Sequence, residues 1–164
     1  MSTATHLDPS AGTPAMIDAR APRFTAAVTA VVLALVLVAS QFDLRAAAVM
    51  LAVQMMVFAV GAHFGPQRHP YTAAYRRLIA PRLGPATKNE AVEPLRFAQM
   101  LGVFFCGVGV AGFALGAPVV GYVATGFALF AALMRAVFGV CLGRGPYIVV
   151  TRMRGQVPAC CQNK

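Results

Sequence analysis

The chain has 164 residues, of which 59% are hydrophobic and only 12% charged, with a formal net charge of +9 and a mean hydropathy of +0.68. That balance is too apolar for an ordinary soluble domain. The positive charge does not point to nucleic acid, because the arginines fall between apolar runs rather than on a solvated surface with base-stacking side chains; the anionic headgroups of an inner leaflet are the expected partner.

Residues 1–21, rich in Ser, Thr, Ala and Pro, read as a disordered tail. Four apolar runs follow, Phe24 to Ser40, Ala46 to Phe64, Phe97 to Leu115 and Val119 to Val140, with helices expected over 23–41, 45–64, 96–116 and 118–142. Crossing a hydrocarbon layer of roughly 30 Å takes about 20 apolar helical residues, so each run is a candidate span. A cleaved signal peptide is an alternative for the first run, since Arg20 and Arg23 precede it and Val38-Ala39-Ser40 resembles a cleavage site. The runs hold no Asp or Glu, which argues against a proton pump built on buried carboxylates. Arg135 is their only Lys or Arg, and it is expected to snorkel or to bond backbone carbonyls, Gln54 or Gln99. An anion contact is its alternative role.

Between the second and third runs, Tyr71, Ala74, Tyr75, Leu78 and Ile79 recur at helical spacing with Arg76 and Arg77 on the other side. This predicts a short interfacial helix over 70–80, opened by Pro70, ended by Pro81 and capped by His69. Arg68, Arg76, Arg77 and Arg82 are its expected contacts with lipid headgroups. Six of the Lys and Arg residues fall in this central loop and none in the turn before Val119. The positive-inside rule therefore puts both termini, the central loop and the tail 148–164 in the cytoplasm.

The fold class expected is all-α: a polytopic bundle over 22–147 made of two pseudo-repeated hairpins plus the interfacial helix. Arg23-Phe24 opens the first hairpin, which closes on Gly61-Ala62-His63-Phe64-Gly65 with Pro70-Tyr71 after it. Arg96-Phe97 opens the second, which closes on Gly139-Val140-Cys141-Leu142-Gly143 with Pro146-Tyr147 after it. In this alignment His63 and Cys141 occupy equivalent places, and an axis along the membrane normal relates the hairpins. The spacing is uneven, 38 residues from Arg23 to Gly61 against 43 from Arg96 to Gly139.

Cysteine is the main reactive side chain. Cys106 lies at mid-span and reads as a small apolar residue. Cys141, with His63 at similar depth and Arg144 to favour a thiolate, is the candidate reactive thiol. His63, Cys141, Cys160 and Cys161 have metal-ligand chemistry but no ligand-spacing motif. No cofactor is expected, and haem is disfavoured because paired histidines at depth are missing from the runs.

Arg23-Phe24, Pro81-Arg82-Leu83, Glu93-Pro94-Leu95-Arg96-Phe97-Ala98-Gln99, Gly139-Val140-Cys141-Leu142-Gly143 and Tyr147 together resemble a bacterial membrane family known as domain of unknown function 4395. The resemblance covers about residues 20–150 and implies four membrane helices, with a second cysteine after the Cys-Leu-Gly turn and links to thioredoxin-like or sulfurtransferase partners. Arg144 stands where that second cysteine would be, so only Cys141 carries over. The leading expectation is a non-catalytic subunit or anchor for a partner on the cytoplasmic face. A thiol-dependent redox or sulfur relay at Cys141 is the alternative, and a small transporter the third.

Overall fold

The computed structural model describes residues 16–83, 89–139, 148–150 and 153. In chain order the elements are β1 (Met16–Asp18), α1 (Arg20–Ala39), α2 (Leu44–Phe64), α3 (Pro70–Leu78), α4 (Ala80–Leu83), β2 (Asn89–Ala91), α5 (Val92–Ala114) and α6 (Pro118–Phe138). α1, α2, α5 and α6 are each long and apolar enough to cross a membrane. They form two antiparallel hairpins packed side by side, α2 against α5 and α1 against α6. The bundle is a closed ring in which every neighbour runs antiparallel, and exchanging one hairpin for the other maps each packed pair onto the other.

Side-chain size is sorted inside out. Ala26, Ala30, Ala47, Ala48, Ala124, Ala128 and Ala132 are buried, while Val31, Leu35, Val53, Met56, Phe104, Phe127 and Phe130 are exposed. In water this would be an aggregating surface. In lipid, where apolar side chains gain nothing by leaving the solvent, association comes instead from close backbone approach at small residues. The α5–α6 crossing shows this directly: a Cβ built on Gly112 would lie 2.5 Å from the Gly121 nitrogen, and one on Gly121 would overlap the Phe113 ring. The remaining core, Leu33, Val36, Leu51, Phe58, Cys106 and Phe113, fills the centre of the ring.

Two turns close one end of the bundle. At the first, the Asp43 side chain accepts from the Arg45 N–H and caps α2. Gln41 Nε2 donates to the Tyr122 hydroxyl at 3.4 Å, tying that turn to α6. The other end carries everything else: α3, α4, and a ribbon in which β1 and β2 pair antiparallel with Ile17 opposite Glu90.

Several boundaries differ from the sequence reading. Residues 16–18, expected within the disordered tail, form β1, because pairing with β2 satisfies the backbone groups of two segments that are otherwise unpaired. Among the described residues the regular structure is thus all-helical apart from this ribbon. α1 begins at Arg20 and α5 at Val92, each earlier than predicted, Pro94 being tolerated in the first turn. α6 ends at Phe138 rather than at 142, stopped by Gly139 in the left-handed conformation at φ +68°.

That stop changes the register of the repeat. α2 ends on Phe64 with Gly65 at φ +88°, as α6 ends on Phe138 with Gly139. The equivalent pair is therefore Gly65 and Gly139, and the hairpins become nearly equal, 42 positions from Arg23 to Gly65 and 43 from Arg96 to Gly139. By helix ends, His63 matches Val137 and not Cys141.

Candidate functional site at the loop-bearing end

His63 stands exposed near the end of α2, its ring edge-on to Phe64 with centroids 4.8 Å apart. Cys141, Arg144, Cys160 and Cys161 lie outside the described residues, so the proposed thiol and metal sets are represented here by His63 alone. Among the described residues no group of three or more His, Cys, Asp or Glu is placed to hold a metal ion. Arg68, Arg76, Arg77 and Arg82 are all exposed at the loop-bearing end.

α3 is amphipathic, but its buried face is Thr72 and Tyr75, while Leu78 of the predicted apolar stripe is 67% exposed. The helix is seated on α1 rather than merely laid on a membrane surface. The Phe24 and Tyr75 rings are 5.7 Å apart, and the Thr25 and Thr72 hydroxyls share a hydrogen bond of 3.3 Å. His69 anchors its start: Nδ1 accepts from the Tyr71 N–H at 3.3 Å, which makes it the cap expected from sequence.

Beneath that cap lies a buried polar cluster that sequence reasoning did not assemble. His69 is fully buried and Gln54 is 1% exposed, although both carry polar heads. The Tyr71 hydroxyl donates to Gln54 Oε1 at 2.9 Å. His69 Nε2, Gln54 Nε2 and Gln99 Oε1 are buried with no hydrogen-bond partner. Because Nδ1 is an acceptor, the neutral ring carries its proton on Nε2, so the cluster presents two donors and an acceptor within one small volume. Gly61 makes the room: a Cβ there would fall 2.6 Å from His69 Cδ2 and 3.1 Å from Gln99 Cδ. Burial pushes the His69 imidazole down to about 4, so it is neutral at physiological pH. The sequence signal for the cluster is the isolated Gln54 and Gln99 in otherwise apolar helices, whose polarity alone does not distinguish each other's company from that of Arg135.

Arg135 meets a backbone carbonyl, as expected, and also a carboxylate that the sequence reading did not supply. Its Nη2 is paired with Glu90 of β2, and Nη1 donates to the Gly139 carbonyl at 3.4 Å. Within the spans the one carboxylate is Glu93, exposed in the first turn of α5, and the central loop folds another, Glu90, over the end of α6. Glu90 was missed because nothing in sequence spacing links residue 90 to residue 135.

The same end shows the repeat in its chemistry. Arg96, at the start of α5, donates from Nε to the Ala62 carbonyl at 3.2 Å and from Nη2 to the His63 carbonyl at 3.0 Å. Arg23, at the start of α1, lays its guanidinium over Gly139 at the end of α6. Each hairpin's opening arginine thus reaches the negative end of the other hairpin's closing helix.

The family described as Domain of unknown function (DUF4395) matches residues 17–152. The chain belongs to that family. The matched range takes in the ribbon except its first residue, Met16, all four spans and both opening arginines, so the features above lie within the DUF4395 region. Neither a curated protein nor a solved structure matches the chain.

Proposed function

We propose that this DUF4395 protein is a non-catalytic subunit or anchor of the bacterial inner membrane that presents its basic, loop-bearing end to a protein partner in the cytoplasm. The observation that carries the reading is the seating of α3. His69, Thr72 and Tyr75 bind its inner face to the bundle, so Arg76 and Arg77 are held outward on a fixed platform with Arg82 just beyond. A platform ordered in advance spares a partner the entropy of ordering it, and a cluster of arginines steers an acidic surface towards it.

Photo-crosslinking in intact cells tests this. A crosslinker at position 77 should give a discrete protein adduct, and one at position 115 in the opposite turn should not. Changing Arg76, Arg77 and Arg82 together to Glu should abolish the adduct. If position 77 gives no adduct, or gives one indifferent to charge reversal, the anchor reading fails.

A further inference from the structure

A cavity of about 280 Å³ opens where the start of α1, the end of α6 and the ribbon meet, lined by Asp18, Arg20, Arg23, Glu90, Phe138 and Gly139. At about 30 Å³ per water it has room for a small oxoanion and several waters. Most of the charge around it is already engaged. The Asp18 carboxylate accepts from the Arg20 N–H at 3.0 Å, Arg20 Nη1 donates to the Leu83 carbonyl at 3.2 Å, and Glu90 is paired with Arg135. Arg23 differs: it makes no hydrogen bond or ion pair with any described residue.

Its position follows from Gly139. A Cβ on that residue would lie 2.6 Å from Arg23 Nη2 and 2.8 Å from Nε, so only glycine lets the guanidinium rest there. At the matching corner of the bundle the equivalent arginine, Arg96, spends its donors on the α2 carbonyls. Arg23 keeps its donors for the cavity. The positive end of α1 is met by Asp18, whose carboxylate takes the first N–H of the helix, so that carboxylate is turned to the backbone rather than to Arg23. Among the described residues, Arg20 and Arg23 line the cavity with Asp18 and Glu90, Glu90 is neutralised by Arg135 from outside the lining, and the balance left over is positive.

We propose that this cavity binds a phosphate-type oxoanion, held by the forked donors of Arg23 with Arg20 beside it. The proposal is independent of the anchor reading, which concerns the outer face of α3. The same chemistry is offered by the headgroup of an anionic phospholipid and by free inorganic phosphate, and the cavity's place at one end of the spans is accessible to either.

The test uses the full-length protein, delipidated in a neutral detergent. One arm titrates inorganic phosphate by calorimetry, and the other measures retention of phosphatidylglycerol against phosphatidylcholine by native mass spectrometry. For whichever probe binds, Arg23→Gln should weaken binding by about tenfold and Arg23→Lys by less, since the charge stays but the fork is lost. Asp18→Asn, which keeps an oxygen for the Arg20 N–H, should strengthen it several-fold. Arg45→Gln, in the distant turn, should leave it unchanged. Binding of phosphate identifies a soluble anion, and selective retention of phosphatidylglycerol alone identifies a headgroup. The proposal is overturned if neither probe binds, or if Arg23→Gln and Arg45→Gln behave alike. Should Arg23→Gln fail to fold, an unchanged affinity in Asp18→Asn overturns it by itself.

Discussion

Arg96 closes the end of α2 through the His63 carbonyl, at 3.0 Å from Nη2, although the two residues are 33 positions apart and belong to different hairpins. A helix leaves its last carbonyls without intrahelical donors, and a cation there satisfies both the lone pairs and the dipole. Because Arg96 is exposed, its contribution is modest. Arg96→Gln should lower the stability of the detergent-solubilised protein by about 1 kcal/mol. Hydrogen exchange should speed up at the last turn of α2 and not at the end of α6. Equal acceleration at both ends would show that the arginine acts on the whole bundle rather than on one helix end.

The four spans, their order and the interfacial helix were legible in the sequence, because lipid demands long uninterrupted apolar helices and these stand out in composition. The opening arginines were legible too. What the alignment of the repeat missed was the register at its closing ends. Gly-x-x-x-Gly is common enough in membrane helices to align in more than one way, whereas a positive φ at Gly65 and Gly139 marks a helix end physically. The correction removes the repeat-based equivalence of His63 and Cys141; Cys141 itself lies outside the described residues. The Arg135 partner was illegible for a different reason: Glu90 belongs to a three-residue strand whose pairing with β1 depends on residues more than seventy positions away.

The Arg135–Glu90 pair is partly buried, with the Arg135 side chain 11% exposed. Removing one member of such a pair leaves the other desolvated and unpaired, at a cost of about 3 kcal/mol. Arg135→Leu should therefore lower the melting temperature sharply, and the double change Arg135→Leu with Glu90→Leu should recover a large part of the loss. A double-mutant cycle with no coupling would show that the two side chains contribute separately.

His69 makes stability depend on acidity. Its imidazole is held down to about 4 in the folded protein against an ordinary value of 6.5. Between those values the unfolded chain binds more protons than the folded one, so stability falls as pH drops from 6.5 towards 4 and is fully retained above 6.5. The loss is of order 3 kcal/mol for a completely buried ring. Melting temperatures across that window should fall in the natural protein and should be flatter in His69→Gln. A parallel fall in both would assign the acid sensitivity to other groups.

Close approach at the α5–α6 crossing rests on Gly112 and Gly121 facing each other. Gly112→Val puts branched carbons where the Gly121 backbone lies, and relief requires the helices to separate or slide. The expected cost is at least the 1–3 kcal/mol, roughly, of core overpacking. Gly126 meets nothing within 4 Å of an added Cβ, so Gly126→Ala should be neutral or mildly stabilising, since alanine is the better helix former. Thermal unfolding of the two variants in one detergent separates a specific contact from a general dislike of larger residues.

Cys106 is fully buried in the centre of the ring, among Leu51, Phe58 and Phe113. A thiol so placed behaves as a small apolar group and is closed to water-soluble reagents. Cys106→Ala should cost about 1 kcal/mol through the small cavity it leaves, and Cys106→Ser more, because the hydroxyl replaces sulfur in apolar surroundings. A variant keeping Cys106 but carrying serine at 141, 160 and 161 should not react with a charged maleimide until the bundle is unfolded. With that background silent, the rate measured when Cys141 alone is restored reports on the thiol-relay alternative. A Cys141 that reacts no faster than a free thiol at neutral pH removes it, and a Cys106 that labels in the folded protein would mean that the ring admits water.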